Sequence, residues 1–125
     1  MAYSDNGTSF TEWGKILSVG AAGTWDDYQV KQFCLYWNQG VWYVLYTGYD
    51  NGPGMLRIGL AYSYNGFREF DKYPYNPILD KGAGGEWDDN RVTFPNILQV
   101  EDEFWIYFAG YDGSTVRDLG IAYIP

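Results

Sequence analysis

The sequence predicts an all-β fold: two tandem four-stranded antiparallel blades of a β-propeller, with the N-terminal strand out of phase with the blade boundaries. Three observations carry this. Tyr 13, Phe 7 and Trp 6 make the 125-residue chain 21% aromatic, and Gly 16 adds many turn positions. Aromatic and β-branched residues suit pleated, half-buried surfaces, and glycine suits tight turns. No segment carries a helical period. Finally, the chain repeats itself.

Trp25-Asp26-Asp27 recurs 62 residues later as Trp87-Asp88-Asp89. The same offset carries Ile16-Leu17 onto Ile78-Leu79, Gly20-Ala21 onto Gly82-Ala83, Val30 onto Val92, and Gly48-Tyr49-Asp50 onto Gly110-Tyr111-Asp112. Ile58-Gly59-Leu60-Ala61-Tyr62 matches Leu119-Gly120-Ile121-Ala122-Tyr123 with one residue lost, and Ser4-Asp5-Asn6-Gly7 matches Ser63-Tyr64-Asn65-Gly66. So many matches in one order mark a duplication. The single unit, 1–125, divides into repeat one at about 4–62 and repeat two at about 63–125.

Each element follows from local composition. Val30 to Trp37 is apolar and aromatic, and Asn38-Gln39-Gly40 is a turn. Val41 to Thr47 is rich in β-formers, and Tyr49 to Gly54 reads as a loop. Leu56 to Tyr62 is a third strand. Ser63-Tyr64-Asn65-Gly66 carries the Asn-Gly hairpin dipeptide and leads to a fourth strand, Phe67 to Lys72. The glycine-rich connection Asp80 to Asn90 follows. Arg91 to Leu98, Glu103 to Gly110 and Val116 to Tyr123 repeat the order. Tandem four-stranded units of this kind are propeller blades.

The register at the N-terminus is shifted. Tyr3 to Gly7 corresponds to the turn between strands three and four, so Ser9 to Leu17 reads as a lone fourth strand. Leu119 to Ile124 reads as a third strand with none after it. Two blades cannot close around an axis. The expectation is a homo-oligomer, a trimer or dimer ring closed by strand exchange between chains, with Trp13 on the lent strand; the alternatives are a piece of a longer propeller and a chain that dimerises as an open half.

Formal net charge is −8 and there is no Lys/Arg run, which argues against nucleic acid and anionic membranes as partners. Carbohydrate and protein partners stay open. Histidine is absent, which removes Ser-His-Asp, Cys-His and most zinc chemistry. Cys34 is the only cysteine and sits in an apolar run, as a buried small hydrophobe does. No metal site and no cofactor are expected. Met1 to Asp5 lacks the basic and apolar regions of a signal peptide, so a cytoplasmic location is expected.

The candidate ligand-binding residues cluster at equivalent places in the two copies. They are Trp25, Asp26, Asp27, Gln29, Tyr49 and Asp50 in the first, and Trp87, Asp88, Asp89, Arg91, Tyr111 and Asp112 in the second. The Asp pairs enter the innermost strand. They can cap turns by accepting backbone N–H bonds, contact a ligand, or form the carboxylate pair that glycoside hydrolysis requires. Tyr28 and Gln29, with their equivalents Asn90 and Arg91, head the inner strand. Arg91 can fork onto a sugar hydroxyl or pair with Asp88 or Asp89. Tyr49-Asp50 and Tyr111-Asp112 open loops where rings can stack on sugars and carboxylates accept hydroxyls, or where Asp starts a turn. Trp37, Trp42 and Trp105 lie within strands and are expected to pack between blades. Glu101-Asp102-Glu103 is a solvated turn.

Ser-x-Asn-Gly, Asn76-Pro77-Ile78-Leu79, Gly-x-Gly-Gly-x-Trp-Asp-Asp ending at Asp89, Val92-x-Phe-Pro95, Tyr107-Phe-Ala-Gly110 and Gly120-Ile-Ala-Tyr123 together resemble a known repeat. It is the blade of the five-bladed glycoside hydrolase propellers of families 43, 32 and 130 and their relatives. The resemblance spans nearly the whole chain. It implies carboxylates drawn from different blades around a central funnel. No carboxylate here matches a family catalytic acid position by position, so no catalytic residue is assigned. The leading expectation is a non-catalytic carbohydrate-binding or scaffold-like propeller assembled from several two-blade chains. The alternatives are a glycosidase-like enzyme using the Asp pairs around a shared funnel, and a structural or protein-interaction module.

Overall fold

The computed structural model describes residues 2–114 and 117–124. Among these the fold is all β, with no helix. A short hairpin pairs β1 (Ala2–Tyr3) with β2 (Thr11–Glu12). The first blade is four-stranded, in the order β3 (Gln29–Asn38), β4 (Val41–Tyr49), β5 (Leu56–Ser63) and β6 (Asp71–Lys72), each strand antiparallel to the next. The second is β7 (Arg91–Val100), β8 (Glu103–Tyr111) and β9 (Arg117–Ile124), three-stranded among the described residues.

The duplication read from the sequence is a duplication of structure. Gln29 pairs with Tyr49 in the first blade as Arg91 pairs with Tyr111 in the second, and Trp37–Trp42 repeats as Gln99–Phe104. Even the irregularities repeat. Both inner strands bulge, between Lys31 and Cys34 and between Thr93 and Asn96. In each bulge a non-glycine residue takes a left-handed backbone, Gln32 at φ 47° and Phe94 at φ 54°. Bulges of this kind bend a strand and redirect its side chains.

Two expectations change. The fourth strand over Phe67–Lys72 shortens to Asp71–Lys72, because Ser63-Tyr64-Asn65-Gly66 and the residues after it turn too tightly to pair. Gly66 takes φ 97° there, as Gly7 takes 75° in the matching N-terminal turn. The lone strand over Ser9–Leu17 shortens to Thr11–Glu12, which pairs with its own β1. The Ser4 hydroxyl accepts the Gly7 N–H, and Asn6 Oδ1 accepts those of Thr8 and Ser9, so the turn is held by its own side chains. Val116 lies outside the described residues.

Two apolar clusters position everything else. Val44, Tyr46, Ala61 and Phe70 form one on the first blade, covered by Ile16 and Leu17. The other joins the blades: Leu45 and Ile58 of the first meet Val92, Ile106 and Phe108 of the second, with Ile78 and Leu79 between them. Ile78–Leu79 is tied to the first blade by backbone bonds, Ile58 N to Leu79 O at 3.0 Å and Ile78 N to Ile58 O at 2.9 Å. The Asn76 side chain braces the same segment on the Leu60 N–H and C=O. Near the bulges, Thr47 Oγ1 lies 3.3 Å from Thr93 Oγ1 and accepts the Phe94 N–H. The inner strands are therefore clamped to each other by polar contacts as well as by apolar packing.

Candidate functional site

The Trp-Asp-Asp motif enters each inner strand and is built into the blade. The Trp25 ring lies over two glycines on neighbouring strands: a Cβ on Gly48 would come within 2.3 Å of it, and one on Gly59 within 2.6 Å. Its ring centroid is 5.6 Å from that of Tyr46, at 29°. Trp87 sits the same way over Gly110 and Gly120, stacked on Phe108 at 5.7 Å. Glycine is needed at these four positions because the indole fills the space a side chain would take.

The adjacent carboxylates have separate fates. Asp26 is buried, 2% exposed, and accepts bonds from the Tyr46 hydroxyl and the Lys72 ammonium. Burial and the neighbouring Asp26 charge push the Tyr46 hydroxyl well above the usual phenol range. Asp27 turns outward but is engaged by backbone: it accepts Gly23 N–H at 2.7 Å and Asn51 N–H at 2.8 Å. Those two bonds hold its carboxyl below the usual carboxylate range. In the second copy Asp89 accepts the Gly85 N–H and Glu86 that of Ala83. Asp88 is buried like Asp26, but Phe108 stands where Tyr46 offers a hydroxyl.

The loop acids behave alike. Asp50 accepts Gly52, Gly54 and Met55 N–H groups and lies 3.9 Å from the Arg57 guanidinium. Asp112 accepts the Ser114 N–H, and its contacts with Ser114 lower its pKa. These are Asp-initiated turns.

What remains open to solvent is a polar and aromatic cluster at the head of each inner strand. In the first copy Tyr28, an exposed ring, lies 5.5 Å from the ring of Tyr49, and the Tyr28 N–H donates to Tyr49 O. Lys31 Nζ sits 5.0 Å above the Tyr49 ring and donates to Gln29 Oε1 at 3.1 Å. In the second copy the Asn90 N–H donates to Tyr111 O, Arg117 lies 5.2 Å from the Tyr111 ring, and Arg91 is exposed beside Tyr111. No ion pair joins Arg91 to Asp88 or Asp89 among the described residues.

The structure thus gathers Gln29 with Tyr49, and Arg91 with Tyr111, and it withdraws Asp26 and Asp88 into the core. Lys31 and Arg117 complete the clusters and were not singled out by sequence. Their signal is positional: each lies on a strand facing a paired tyrosine, which only the strand register reveals. Among the strand tryptophans, Trp42 packs on the first-blade cluster, Trp37 is exposed, and Trp105 stacks on Tyr123 at 5.1 Å.

No family model and no curated protein matches the chain. Among solved structures it is similar to a glycoside hydrolase over 98% of its length, at TM-score 0.77 and 11% identity, covering 34% of that chain. It is similar to a glycosyl hydrolase from Bacteroides ovatus over 80% of its length, at TM-score 0.66 and 19% identity, covering 30% of that protein. A family 117 glycoside hydrolase from Zobellia galactanivorans matches 87% of this chain and 39% of its own, at TM-score 0.65 and 14% identity. The chain therefore spans about a third of the length of the propeller proteins it matches, and at these identities the likeness is one of fold.

Proposed function

We propose that these blades bind carbohydrate without cleaving it, using the tyrosine clusters at the heads of β3 and β7. The observation that carries this reading is the pairing of the exposed Tyr28 ring with Tyr49, beside the amide of Gln29 and the ammonium of Lys31. A sugar ring presents C–H groups that stack on an aromatic face and hydroxyls that need nearby donors and acceptors. The cluster supplies both. The fold likeness to glycoside hydrolases agrees with a saccharide ligand. Catalysis needs two carboxylates facing one bond, one of them with a raised pKa. Here Asp26 is turned inward and Asp27 is lowered by two backbone donors, which is the opposite tuning.

A glycan array probed with the purified chain tests the reading. Retention of a defined class of neutral oligosaccharides is expected. Tyr28→Ala should weaken that retention about tenfold, the equivalent of about 1.4 kcal/mol. Aryl glycosides should not turn over. Turnover that disappears in Asp27→Asn or Asp89→Asn would overturn the non-catalytic reading, and an array with no retained glycan would overturn carbohydrate binding.

A further inference from the structure

We propose that the cleft between the two blades is a second binding site, toward the opposite end of the strands from the tyrosine clusters, and that it takes a small neutral phenol.

The site is a cavity of about 190 Å³, partly open to solvent, toward the hairpin ends of β3–β4 and β7–β8. Leu45 and Leu60 of the first blade, Ile97 and Ile106 of the second, and Ile78 from the connection form its floor. Leu45 and Ile106 are buried, but Leu60, Ile78 and Ile97 stay half-buried although they pack on the junction cluster. The two blades therefore meet here without filling the space between them. Protein interiors normally close such gaps, because atoms around a void lose their dispersion contacts. A ligand ring restores those contacts.

Aromatic side chains wall the cavity. The Tyr36 ring lies 6.4 Å from that of Tyr43 and 5.8 Å from that of Phe104, the latter at 83°. The Tyr36 hydroxyl donates to Gln99 Oε1, and Gln99 Nε2 donates to Glu101 O at 2.9 Å. Both blades thus fix the wall before any ligand arrives, which lowers the ordering cost of binding. The repeat sets these residues apart. Tyr36 and Asn38 stand where the second copy has Leu98 and Val100, and Tyr43 where it has Trp105. An apolar side chain is enough to build the strand at the first two positions. The first copy instead lines the cavity with hydroxyls and an amide.

The lining selects the ligand. Among the described residues around the cavity none is charged, and the chain carries a net −8, so a neutral molecule is favoured over an anion. The volume suits a single ring: an apolar cavity of about 150 Å³ holds benzene, and drug-sized ligands need about 300 Å³ or more. A sugar fits poorly, because an aliphatic floor leaves several hydroxyls without partners at a cost for each. One hydroxyl is different. Among the described residues neither the Asn38 amide nor the Tyr43 hydroxyl is bonded within the chain, and neither is cut off from water. The amide and the hydroxyl each offer a donor and an acceptor, and a ring hydroxyl can replace the water they now meet. The ten residues of β3 separate Asn38 from Gln29 by about 30 Å, so a ligand of this size reaches only one of the two sites.

Titration with p-cresol, followed through backbone amide chemical shifts, tests this. The probe is neutral at pH 7, since phenols titrate near about 10. Saturable shifts are expected at Asn38, Tyr43 and Ile97 and not at Tyr28 or Tyr49. Toluene has the same shape without the hydroxyl and should bind about fivefold more weakly. Glucose should leave these amides unmoved. Tyr43→Phe and Asn38→Val should each weaken p-cresol several-fold and leave toluene unchanged, with the circular dichroism spectrum retained. Ile97→Phe fills the cavity and should abolish binding of both probes; if that variant fails to fold, the other two decide. The absence of a saturable shift with p-cresol would overturn the proposal. So would toluene binding as tightly as p-cresol, glucose moving the same amides, or a folded Ile97→Phe that binds p-cresol unchanged.

Discussion

Replacing Asp26 with alanine removes the acceptor of three donors at once, the Tyr46 hydroxyl, the Lys72 ammonium and, at 3.4 Å, the Thr24 hydroxyl. The carboxylate is 2% exposed, so water cannot take its place. Breaking a buried charge pair from one side leaves the other charge without a partner, and Asp26→Ala should lower stability by about 3 kcal/mol. Asp88→Ala should cost less, about 1 kcal/mol, because Phe108 has no hydroxyl to strand. Urea unfolding of the two variants measures the difference, and equal losses would mean that the Tyr46–Asp26–Lys72 contacts add nothing. The sequence offered both Asp pairs three roles, and the backbone decided among them. Asp27 and Asp89 lie within reach of glycine N–H groups in their own loops, a local contact of the kind that spacing suggests. Two of the three partners of Asp26, Tyr46 and Lys72, lie 20 and 46 residues away, so the burial of that carboxylate depends on tertiary packing.

Each blade is keyed by an indole resting on glycines of two adjacent strands. A methyl group on Gly48 would come within 2.3 Å of Trp25, and one on Gly110 within 2.2 Å of Trp87. Gly52, in the loop after β4, has its nearest neighbour at 4.0 Å. Gly48→Ala and Gly110→Ala should each destabilise by about 1–3 kcal/mol through overpacking, while Gly52→Ala should stay within about 0.5 kcal/mol. Thermal unfolding of the three variants checks this; a loss in Gly52→Ala as large as the others would show that the indole seat does not set the cost, since chain entropy alone favours alanine. The recurrence of Trp25 and Gly48 as Trp87 and Gly110 was legible because the seat is used twice. Its purpose was not, since Gly48 and Gly59 become neighbours only through the β4–β5 register. The same limit explains the short β6. Phe67 to Phe70 has strand-like composition, but Phe70 turns into the core under Val44, Tyr46 and Ala61 instead of extending the ladder.

At the scale of the molecule, charge and apolar surface oppose each other. The blade architecture was readable from the repeat. The exposure of Leu119, Ile121 and Tyr107 was not, because strand composition alone gives no indication of which face a neighbour covers. The chain carries a formal net charge of −8, and like charges held in one compact fold repel each other. Salt shortens the reach of that repulsion from about 30 Å at 0.01 M to about 8 Å at 0.15 M, and it leaves burial of apolar side chains largely untouched. The fold should therefore gain stability as salt rises over this range, read as a higher midpoint of thermal unfolding. A lower midpoint would mean that the ion pairs of Arg57 with Asp80 and of Lys72 with Asp26, which salt weakens, outweigh the repulsion.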